Sequence, residues 1–415
     1  MKTAILTVGT EILFGQIVNT NAAFLSQQLN NLGYDVMYHY TVGDNPGRLA
    51  ELIHLAFRDC DLILTTGGLG PTQDDLTKET IAKAMGDVVV ENPACMKYLK
   101  ENYERAGRKM TPNNLKQAYM PSRATVLPND AGTAPGFALE QDGKIIIAMP
   151  GPPREMQRMF ELQVKPLLQK KQDSVIYYRM LRMFGIGESS LETVLLPLID
   201  EQTDPTLATY AKEGECSLRI ASKRATEEEA RAAVDEMTEK VRSLVGDYIY
   251  SYDDEDLIDV VGRLLLEKKI TIACAESCTG GLFAGALTDT SGISEVFGHG
   301  YVTYSCEAKE TELGVKPETI ETYGVVSPQV AEEMAAGLAA KTGAKLCISV
   351  TGLAGPDGGS AEKPVGLAYI GVSYEGRLYA VKSYYRNVSR KWNRHYTLLR
   401  MLFEVYRLIS PEKPA

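Results

Sequence analysis

Short apolar runs alternate with amphipathic stretches over the first 170 residues. Residues 2–8 and 35–42 are apolar and β-branched runs of strand length, and between them apolar residues recur at helical spacing from Ala22 to Leu32. Further strands are predicted at 61–66 and 144–149, and further helices at 46–58, from about 76, and from 153 to about 168. Strands that alternate with helices predict an α/β domain, residues 1–170, built on a doubly wound parallel sheet.

The pattern changes over residues 171–252. Strands are predicted at 174–184, 207–211, 216–223 and 248–250, and helices at 188–200 and 226–245. This β-α-β-β-α-β order predicts a small α+β module of the split-βαβ type. We interpret it as a linker or dimerisation module, because three glutamates at 227–229 and the lack of a GxxG loop disfavour RNA binding.

An acidic stretch from Ser251 to Asp256 predicts an exposed linker, after which residues 253–415 alternate helices and strands again as a third, α/β domain. The formal net charge of −10 argues against broad nucleic-acid binding. Seven scattered cysteines without a CxxC pair argue against a zinc site or a disulfide framework. Since no apolar stretch approaches the roughly 18 residues of a membrane span, we expect a cytoplasmic protein that binds small molecules rather than nucleic acid or membranes. Because the small middle module could pair or swap, we also expect a homodimer.

A glycine-rich loop follows the predicted strand at 61–66. Gly67, Gly68 and Gly70 let the backbone approach an oxyanion, and Asp74 and Asp75 come shortly after them. Two carboxylates would repel a phosphate unless a divalent cation lies between them, and Mg²⁺ prefers such oxygen ligands. The loop therefore predicts a metal–phosphate site, with the alternative that Asp74 only caps the next helix.

Ser277 follows a predicted strand and opens a predicted helix, which is how a serine nucleophile is presented. Lys309 lies 32 residues later, at the end of a second apolar-aromatic strand. Consecutive strands of one sheet bring such residues to one edge, so a Ser–Lys pair is predicted, with Tyr304 relaying a proton. The alternative is that Lys309 is a surface helix-capping residue.

A third glycine-rich loop, residues 351–359, follows the predicted strand 346–350. Gly352 and Gly355 in this loop suit a phosphate or ribose, although a flexible turn has the same composition. Arg390 and Arg394 are four residues apart on a predicted helix and would neutralise a substrate phosphate. The alternative for both arginines is a solvated helix face.

Four segments of the first domain resemble the molybdopterin-binding fold of the CinA family, the competence/damage-inducible proteins: residues 9–13, 65–75, 132–136 and 150–156. The resemblance implies a metal-dependent ADP-ribose pyrophosphatase in which Asp74 and Asp75 hold a divalent cation such as Mg²⁺. It also implies that Glu11 and the Gly67–Gly70 loop contact the ligand or the metal. Residues 210–215 resemble the family's middle segment, which implies that Lys212 reaches this first site.

The third domain resembles the CinA C-terminal domain, the nicotinamide-mononucleotide deamidase, at residues 276–281, 304–309, 351–356 and Gly366. The resemblance implies Ser277 as nucleophile, Lys309 as base and Tyr304 as support, with no cofactor. Thr279 and Gly280 would line the oxyanion or phosphate region, and Arg390 would be the substrate-binding arginine. Cys306 departs from the small polar residue, commonly Asn, that we expect there.

Together with the predicted sites, the resemblance implies a bifunctional pyridine-nucleotide salvage hydrolase. It would convert nicotinamide mononucleotide to nicotinate mononucleotide and ammonia, and ADP-ribose to AMP and ribose 5-phosphate. One alternative is a non-catalytic nucleotide- or pterin-binding regulator linked to competence or DNA damage, which would not need the Ser277–Lys309 pair. Another is a cofactor-assembly transferase acting at the Asp74–Asp75 loop.

Overall fold

The computed structural model describes residues 1–105, 107, 109–171, 174–385 and 389–410, which are mixed α/β throughout. The chain forms two compact units, one of residues 1–178 with 222–232, the other of residues 179–221 with 233–415. The module predicted at 171–252 is therefore divided between the units, and most of it belongs with the C-terminal domain.

The first unit is built on a six-stranded sheet in the order β2-β1-β3-β8-β7-β6, beside a two-stranded sheet of β4 and β5. Its strands are β1 (Lys2–Val8), β2 (Asp35–Val42), β3 (Leu62–Thr66), β4 (Val89–Glu91), β5 (Tyr119–Pro121), β6 (Thr125–Leu127), β7 (Gly136–Gln141) and β8 (Lys144–Met149). Its helices are α1 (Thr10–Leu13), α2 (Thr20–Asn31), α3 (Pro46–Asp59), α4 (Thr77–Ala84), α5 (Pro93–Arg105), α6 (Pro153–Met159) and α7 (Lys165–Gln169), with a 3₁₀ segment at Pro112–Ala118 and a π segment at Phe160–Val164.

Successive residues of the central strands face opposite sides of this sheet. Leu6 and Ile63 belong to one buried cluster, whereas Ile5 and Leu64 belong to the other. The sheet is thus buried on both faces, which explains why its strands are nearly continuous apolar runs.

The prediction of a wholly parallel sheet is wrong at one edge. β1, β2, β3 and β8 are parallel, but β7 pairs antiparallel with β8, and β6 with β7. Asp142 and Gly143 join β7 to β8 with positive φ values of 50° and 74°. Such a two-residue turn connects only antiparallel strands, because a parallel crossover needs a dozen residues or more.

The middle module has the predicted β-α-β-β-α-β order, with its four strands arranged as β10-β11-β9-β12. Its elements are β9 (Val175–Phe184), α8 (Glu188–Asp200), β10 (Thr206–Lys212), β11 (Glu215–Arg224), α9 (Glu227–Val245) and β12 (Ile249–Ser251). The acidic stretch predicted as an exposed linker forms two ion pairs with Arg182. Its Nε lies 2.5 Å from Asp254 Oδ1, and its Nη2 lies 3.4 Å from Asp256 Oδ1.

The C-terminal domain contains a five-stranded sheet in the order β14-β13-β15-β16-β17. Its strands are β13 (Ile272–Glu276), β14 (Phe297–Val302), β15 (Leu346–Gly352), β16 (Leu367–Tyr374) and β17 (Arg377–Tyr384). Its helices are α10 (Leu257–Lys268), α11 (Leu282–Thr288), α12 (Cys306–Leu313), α13 (Pro317–Tyr323), α14 (Pro328–Thr342) and α15 (Arg390–Ile409). Because β14, β13 and β15 run parallel, their carboxyl ends meet at one edge.

Candidate functional site

Three loops of the first unit meet around a cleft at the carboxyl ends of β1, β3 and β8, as the sequence predicts. The cleft has a volume of about 400 Å³ and is lined by Glu11, the loop glycines 67, 68 and 70, both Asp74 and Asp75, and Pro150–Pro152. Thr66 joins two of the loops, because its hydroxyl donates to Pro150 O at 2.7 Å. This placement suits ligand binding in a parallel sheet.

Glycine is required at the start of the β3 loop. Gly67 has a φ of +106°, and a Cβ atom there would lie 2.0 Å from Val8 O. At Gly70 a Cβ atom would lie 2.5 Å from the carboxylate of Asp75. A side chain at either position would collide with Val8 or Asp75. Glycine there leaves the loop backbone accessible to the cleft.

The two aspartates have different surroundings. Both the backbone N–H and the hydroxyl of Thr72 donate to Oδ2 of Asp75, and the Nζ of Lys116 donates to Thr72 O at 3.1 Å and to Asp75 O. Asp75 thus stabilises the loop after β3 through its hydrogen bonds with Thr72, whereas Asp74 is exposed. The alternative that Asp74 caps α4 does not hold, because Leu76 is the N-cap and its side chain caps nothing.

The donor set limits the kind of cation that fits this cleft. Among the described residues, no three His, Cys, Asp or Glu side chains converge closely enough to hold a metal ion by themselves. Mg²⁺ is usually held by one or two carboxylates, with water and substrate phosphates as its other ligands. Asp74 and Asp75 therefore fit a Mg²⁺ ion that binds together with a phosphate-bearing substrate. They do not fit a site in which protein side chains supply all of the metal ligands.

Two acidic residues of this cleft, Asp44 and Glu155, are not among the predicted site residues. Asp44 accepts hydrogen bonds from the N–H and hydroxyl of Thr10 at 3.1 and 2.7 Å. Glu155 accepts from Asn129 Nδ2 at 2.7 Å. Glu155 follows a predicted strand end and was therefore detectable, whereas Asp44 lies after β2 in a segment with no recognisable motif.

In the C-terminal domain, Ser277 directly follows β13 at the parallel edge of the sheet. Its backbone N–H donates to Val350 O at 3.2 Å, which holds the turn of residues 277–281, called the nucleophile turn after the predicted role of Ser277, against β15. Gly280 and Gly281 complete the turn with φ values of +59° and +92° and lead into α11. The sequence motif is thus a sharp strand–turn–helix connection with the serine 8% exposed.

Lys309 lies beside Ser277, as predicted. Its Nζ is 3.1 Å from Ser277 Oγ and 2.8 Å from Thr303 O, and its side chain is fully buried, so the surface-capping alternative is wrong. Burial lowers the pKa of the Lys309 amine, although the neighbouring thiols Cys306 and Cys278 act in the opposite direction. Lys309 Nζ is thus within hydrogen-bond distance of both Thr303 O and Ser277 Oγ, and a neutral amine at this position would be able to accept a proton from the serine.

The thiol of Cys278, next to Ser277 in sequence, is buried. Burial raises the pKa of Cys278 to about 11, so this thiol stays protonated at neutral pH. Cys306, in contrast, is exposed at the first position of α12, directly after the N-cap Ser305. Its side chain makes no hydrogen bond to Lys309 among those of the described residues.

Most N–H groups at the start of α11 already have acceptors within the protein. The fully buried carboxylate of Glu276 accepts from the N–H groups of Gly281, Phe283 and Ala284 at 3.0, 3.1 and 2.9 Å. Gly280 N donates to Ser277 O at 3.0 Å. Glu276, which the sequence did not single out for a role, therefore caps this helix.

Arg390 contacts two other predicted site segments, the loop of Gly355 and the segment of Tyr304. Its guanidinium donates to Gly355 O at 2.6 Å and to the Tyr304 hydroxyl at 2.7 Å. The Tyr304 hydroxyl therefore faces Arg390, and only its carbonyl oxygen faces Lys309, at 3.4 Å. The phenol is thus placed as part of the site wall, and its predicted role as a proton relay to Lys309 is not supported by this geometry.

The remaining predicted residues occupy varied positions. Thr279 is fully buried, and its hydroxyl lacks a hydrogen-bond partner within the described part of the chain. Gly352 and Gly355 are packed tightly, since added Cβ atoms would lie 2.6 Å from Ala368 Cβ and 2.4 Å from Val365 Cγ1. Lys212 belongs to the second unit, where its Nζ lies 3.0 Å from Asp256.

Comparisons with known proteins agree with these domains. A "Probable molybdopterin binding domain" model matches residues 4–170, "Damage-inducible protein CinA KH domain" matches 178–251, and "CinA C-terminal domain" matches 254–409. A competence-damage inducible protein of Clostridium kluyveri is 49% identical over 379 residues, which cover 91% of this chain and 92% of that protein. The chain belongs to the CinA family.

Other CinA relatives extend this match. A competence-damage inducible protein of Clostridium botulinum, strain Kyoto, is 47% identical over 97% of this chain and 98% of its own length. The crystal structure of a CinA protein of unknown function from Thermoplasma acidophilum is 36% identical, and covers 40% of this chain and 97% of that one with a TM-score of 0.38.

Two further observations describe this CinA-family protein. Within the described ranges, no helix has the length and apolarity that crossing a membrane requires. Arg394, predicted as a phosphate ligand or as part of a solvated helix face, instead contacts the turn after β13: its Nε and Nη2 donate to Cys278 O and Thr279 O at 3.1 and 2.6 Å. Sequence alone carries no signal for that contact, because the partners are 116 and 115 residues apart.

Proposed function

We propose that the C-terminal domain deamidates nicotinamide mononucleotide to nicotinate mononucleotide through a Ser–Lys mechanism. The observation that carries the proposal is the buried Lys309 amine, 3.1 Å from Ser277 Oγ at the carboxyl edge of the sheet. A protein that only binds nucleotides has no use for an amine whose pKa is lowered beside a strand-end serine.

The reaction begins when the Ser277 hydroxyl passes its proton to Lys309 Nζ and its oxygen bonds to the carboxamide carbon. Lys309 then returns the proton to the amide nitrogen, the C–N bond breaks and ammonia leaves. Water attacks the resulting ester while Lys309 accepts a proton from it. The ester C–O bond then breaks while Lys309 returns that proton to Ser277 Oγ, which releases nicotinate mononucleotide and restores the hydroxyl and the neutral amine.

Positive charge beside this pair suits a nucleotide. The hydrogen bonds from Arg390 to Gly355 and Tyr304 fix its guanidinium at the start of α15. This positive charge would complement a substrate phosphate, in a protein whose net charge is −10. The unpartnered hydroxyl of buried Thr279 offers a further donor beside the nucleophile.

Ammonia release from nicotinamide mononucleotide in metal-free buffer tests this proposal. Ser277→Ala should release none, while Ser294→Ala, which changes an exposed serine of the same domain, should match the wild type. Equal turnover by Ser277→Ala would refute the nucleophile assignment. No turnover by the wild type would favour the regulatory alternative, a non-catalytic nucleotide or pterin binder.

We further propose that the N-terminal cleft hydrolyses ADP-ribose to AMP and ribose 5-phosphate. The 400 Å³ cleft places Asp74 and Asp75 beside a glycine loop, which suits a pyrophosphate carried with a divalent cation. Such a cation, when bound, polarises the pyrophosphate for attack by water. Asp74 and Asp75 would hold it, and the loop backbone would bind phosphate oxygens.

AMP release from ADP-ribose at a fixed Mg²⁺ concentration tests the second activity. Asp74→Asn should remove it, while Asp142→Asn, an exposed turn position with a φ of 50°, should not. Unchanged turnover by Asp74→Asn would exclude a metal role for this residue, and pterin binding or adenylylation at the loop would favour the transferase alternative.

The expected homodimer is tested by sedimentation of the full chain.

A further inference from the structure

Arg394 is a cationic side chain that contacts the nucleophile turn rather than open space. It lies on α15, one helical turn after Arg390, and its guanidinium donates through Nε to Cys278 O at 3.1 Å and through Nη2 to Thr279 O at 2.6 Å. Two N–H groups of one planar fork therefore bind two successive carbonyls. The turn is held from its carbonyl side by a residue more than a hundred positions away in sequence.

The planarity of the peptide bond gives this contact a consequence for the opposite side of the turn. In a trans peptide the C=O and the next N–H point in opposite directions. The carbonyl of Cys278 shares its peptide with Thr279 N–H, so the bond from Arg394 turns Thr279 N–H away from the arginine. The carbonyl of Thr279 shares its peptide with Gly280 N–H, which already donates to Ser277 O at 3.0 Å.

The other donors near Ser277 are largely consumed. Glu276 accepts the N–H groups of Gly281, Phe283 and Ala284, and Ser277 N donates to Val350 O. Across the described residues, Cys278 N and Thr279 N donate to no oxygen atom, and both N–H groups are directed toward the sulfur of Cys278. Because a thiol is a weak acceptor, these two N–H groups are the ones after Ser277 that an oxyanion can recruit during acyl transfer.

We propose that Arg394 is the positioning residue of the oxyanion site, acting through the Cys278–Thr279 peptide that it holds by its carbonyl. This inference rests on the proposed deamidase function. The guanidinium fixes the direction of Thr279 N–H before substrate binds, and its charge on the carbonyl polarises the peptide and strengthens that N–H as a donor. Arg394 itself touches neither the reacting carboxamide nor Lys309.

The role as a phosphate ligand, which the sequence suggested for Arg394, makes a different prediction. A phosphate ligand matters only for a substrate that carries phosphate, whereas a positioning residue of the oxyanion site matters for every carboxamide substrate, because each of them is an acyl donor. The experiment therefore compares nicotinamide mononucleotide with nicotinamide riboside, which has the same carboxamide and no phosphate. The enzymes are wild type, Arg394→Met, Arg394→Lys and Arg407→Gln, the last an exposed arginine of the same helix.

We expect Arg394→Met to lower kcat about 10²–10³-fold on both substrates, which is the usual effect of losing an oxyanion donor. KM should change little, and Arg394→Lys should recover part of kcat because an ammonium can hold one of the two carbonyls. Arg407→Gln should equal the wild type. A loss confined to the phosphorylated substrate, or kcat within threefold of wild type in Arg394→Met, would overturn the proposal.

A second readout does not depend on the natural substrate. The rate at which an alkyl fluorophosphonate labels Ser277, followed by the mass of the intact protein, should fall in Arg394→Met by a similar factor, because the phosphonyl oxygen needs the same donors. Wild-type labelling without any deamidation would refute the proposed function alone. Labelling of both Arg394 variants at the wild-type rate, with unchanged thermal melting, would refute the role of Arg394.

Discussion

Replacing Lys309 with Met should remove deamidase activity from a chain that still folds. The substitution deletes the amine 3.1 Å from Ser277 Oγ and keeps a side chain of similar length in the fully buried site. A positioned general base contributes about 10²–10⁴-fold to a rate. The expected loss in kcat is therefore of that order, equivalent to about 3–5 kcal/mol of transition-state stabilisation.

The effect on folding should be smaller because two contributions oppose each other. Met no longer carries the desolvation cost that lowers the pKa of Lys309, which favours the variant. It also leaves Thr303 O without its donor at 2.8 Å, which costs roughly 1–3 kcal/mol. We expect the free energy of unfolding, measured with urea, to change by less than about 2 kcal/mol.

Lys309→Arg separates basicity from charge. An arginine keeps the positive charge but does not lose its proton in proteins, so it cannot act as a base. In the wild type, kcat/KM should rise with pH until Lys309 is neutral, and burial places that plateau below the ordinary pKa of lysine. More than a tenth of wild-type ammonia release by Lys309→Arg, or a pH profile without this rise, would refute the base assignment.

Lys78 is 1% exposed, and burial lowers its pKa to about 8. Between pH 8 and 10.5 it therefore binds fewer protons in the folded than in the unfolded chain. The free energy of unfolding should rise over that range. In urea unfolding at pH 7, Lys78→Met should be more stable than the wild type by about 1–3 kcal/mol. This gain should disappear above pH 10, and the control Lys83→Met, which changes an exposed lysine, should not show it. Glu276→Gln should destabilise the chain by about 1–3 kcal/mol, because an amide cannot accept all three N–H groups; an unchanged urea midpoint would contradict the capping role. Gly371→Ala should cost about 2–3 kcal/mol, since its Cβ would lie 2.0 Å from Ala331 O, whereas Gly298→Ala has open space; equal melting temperatures for the two variants would show that the strand moves aside.

Local patterns in the sequence were enough to predict most of the elements. The helix at Glu188–Asp200 and the strands at Lys2–Val8 and Asp35–Val42 match their predictions, because short β-branched and apolar runs and helical spacing are local properties of the sequence. The antiparallel edge of the first sheet was missed, although the Asp142–Gly143 turn that causes it is visible in the sequence.

The sequence by itself determined where the chemical groups stand along the chain: Ser277 on a strand-to-helix turn, Lys309 one strand later, and Asp74 and Asp75 after a glycine loop. Only the tertiary structure decided which groups meet. Lys309 is buried against Ser277, the phenol of Tyr304 is directed to Arg390, and Arg394 reaches back to Cys278 across 116 residues. Hydrogen-bond direction and burial depend on how distant elements pack, and local residue patterns carry no information about either.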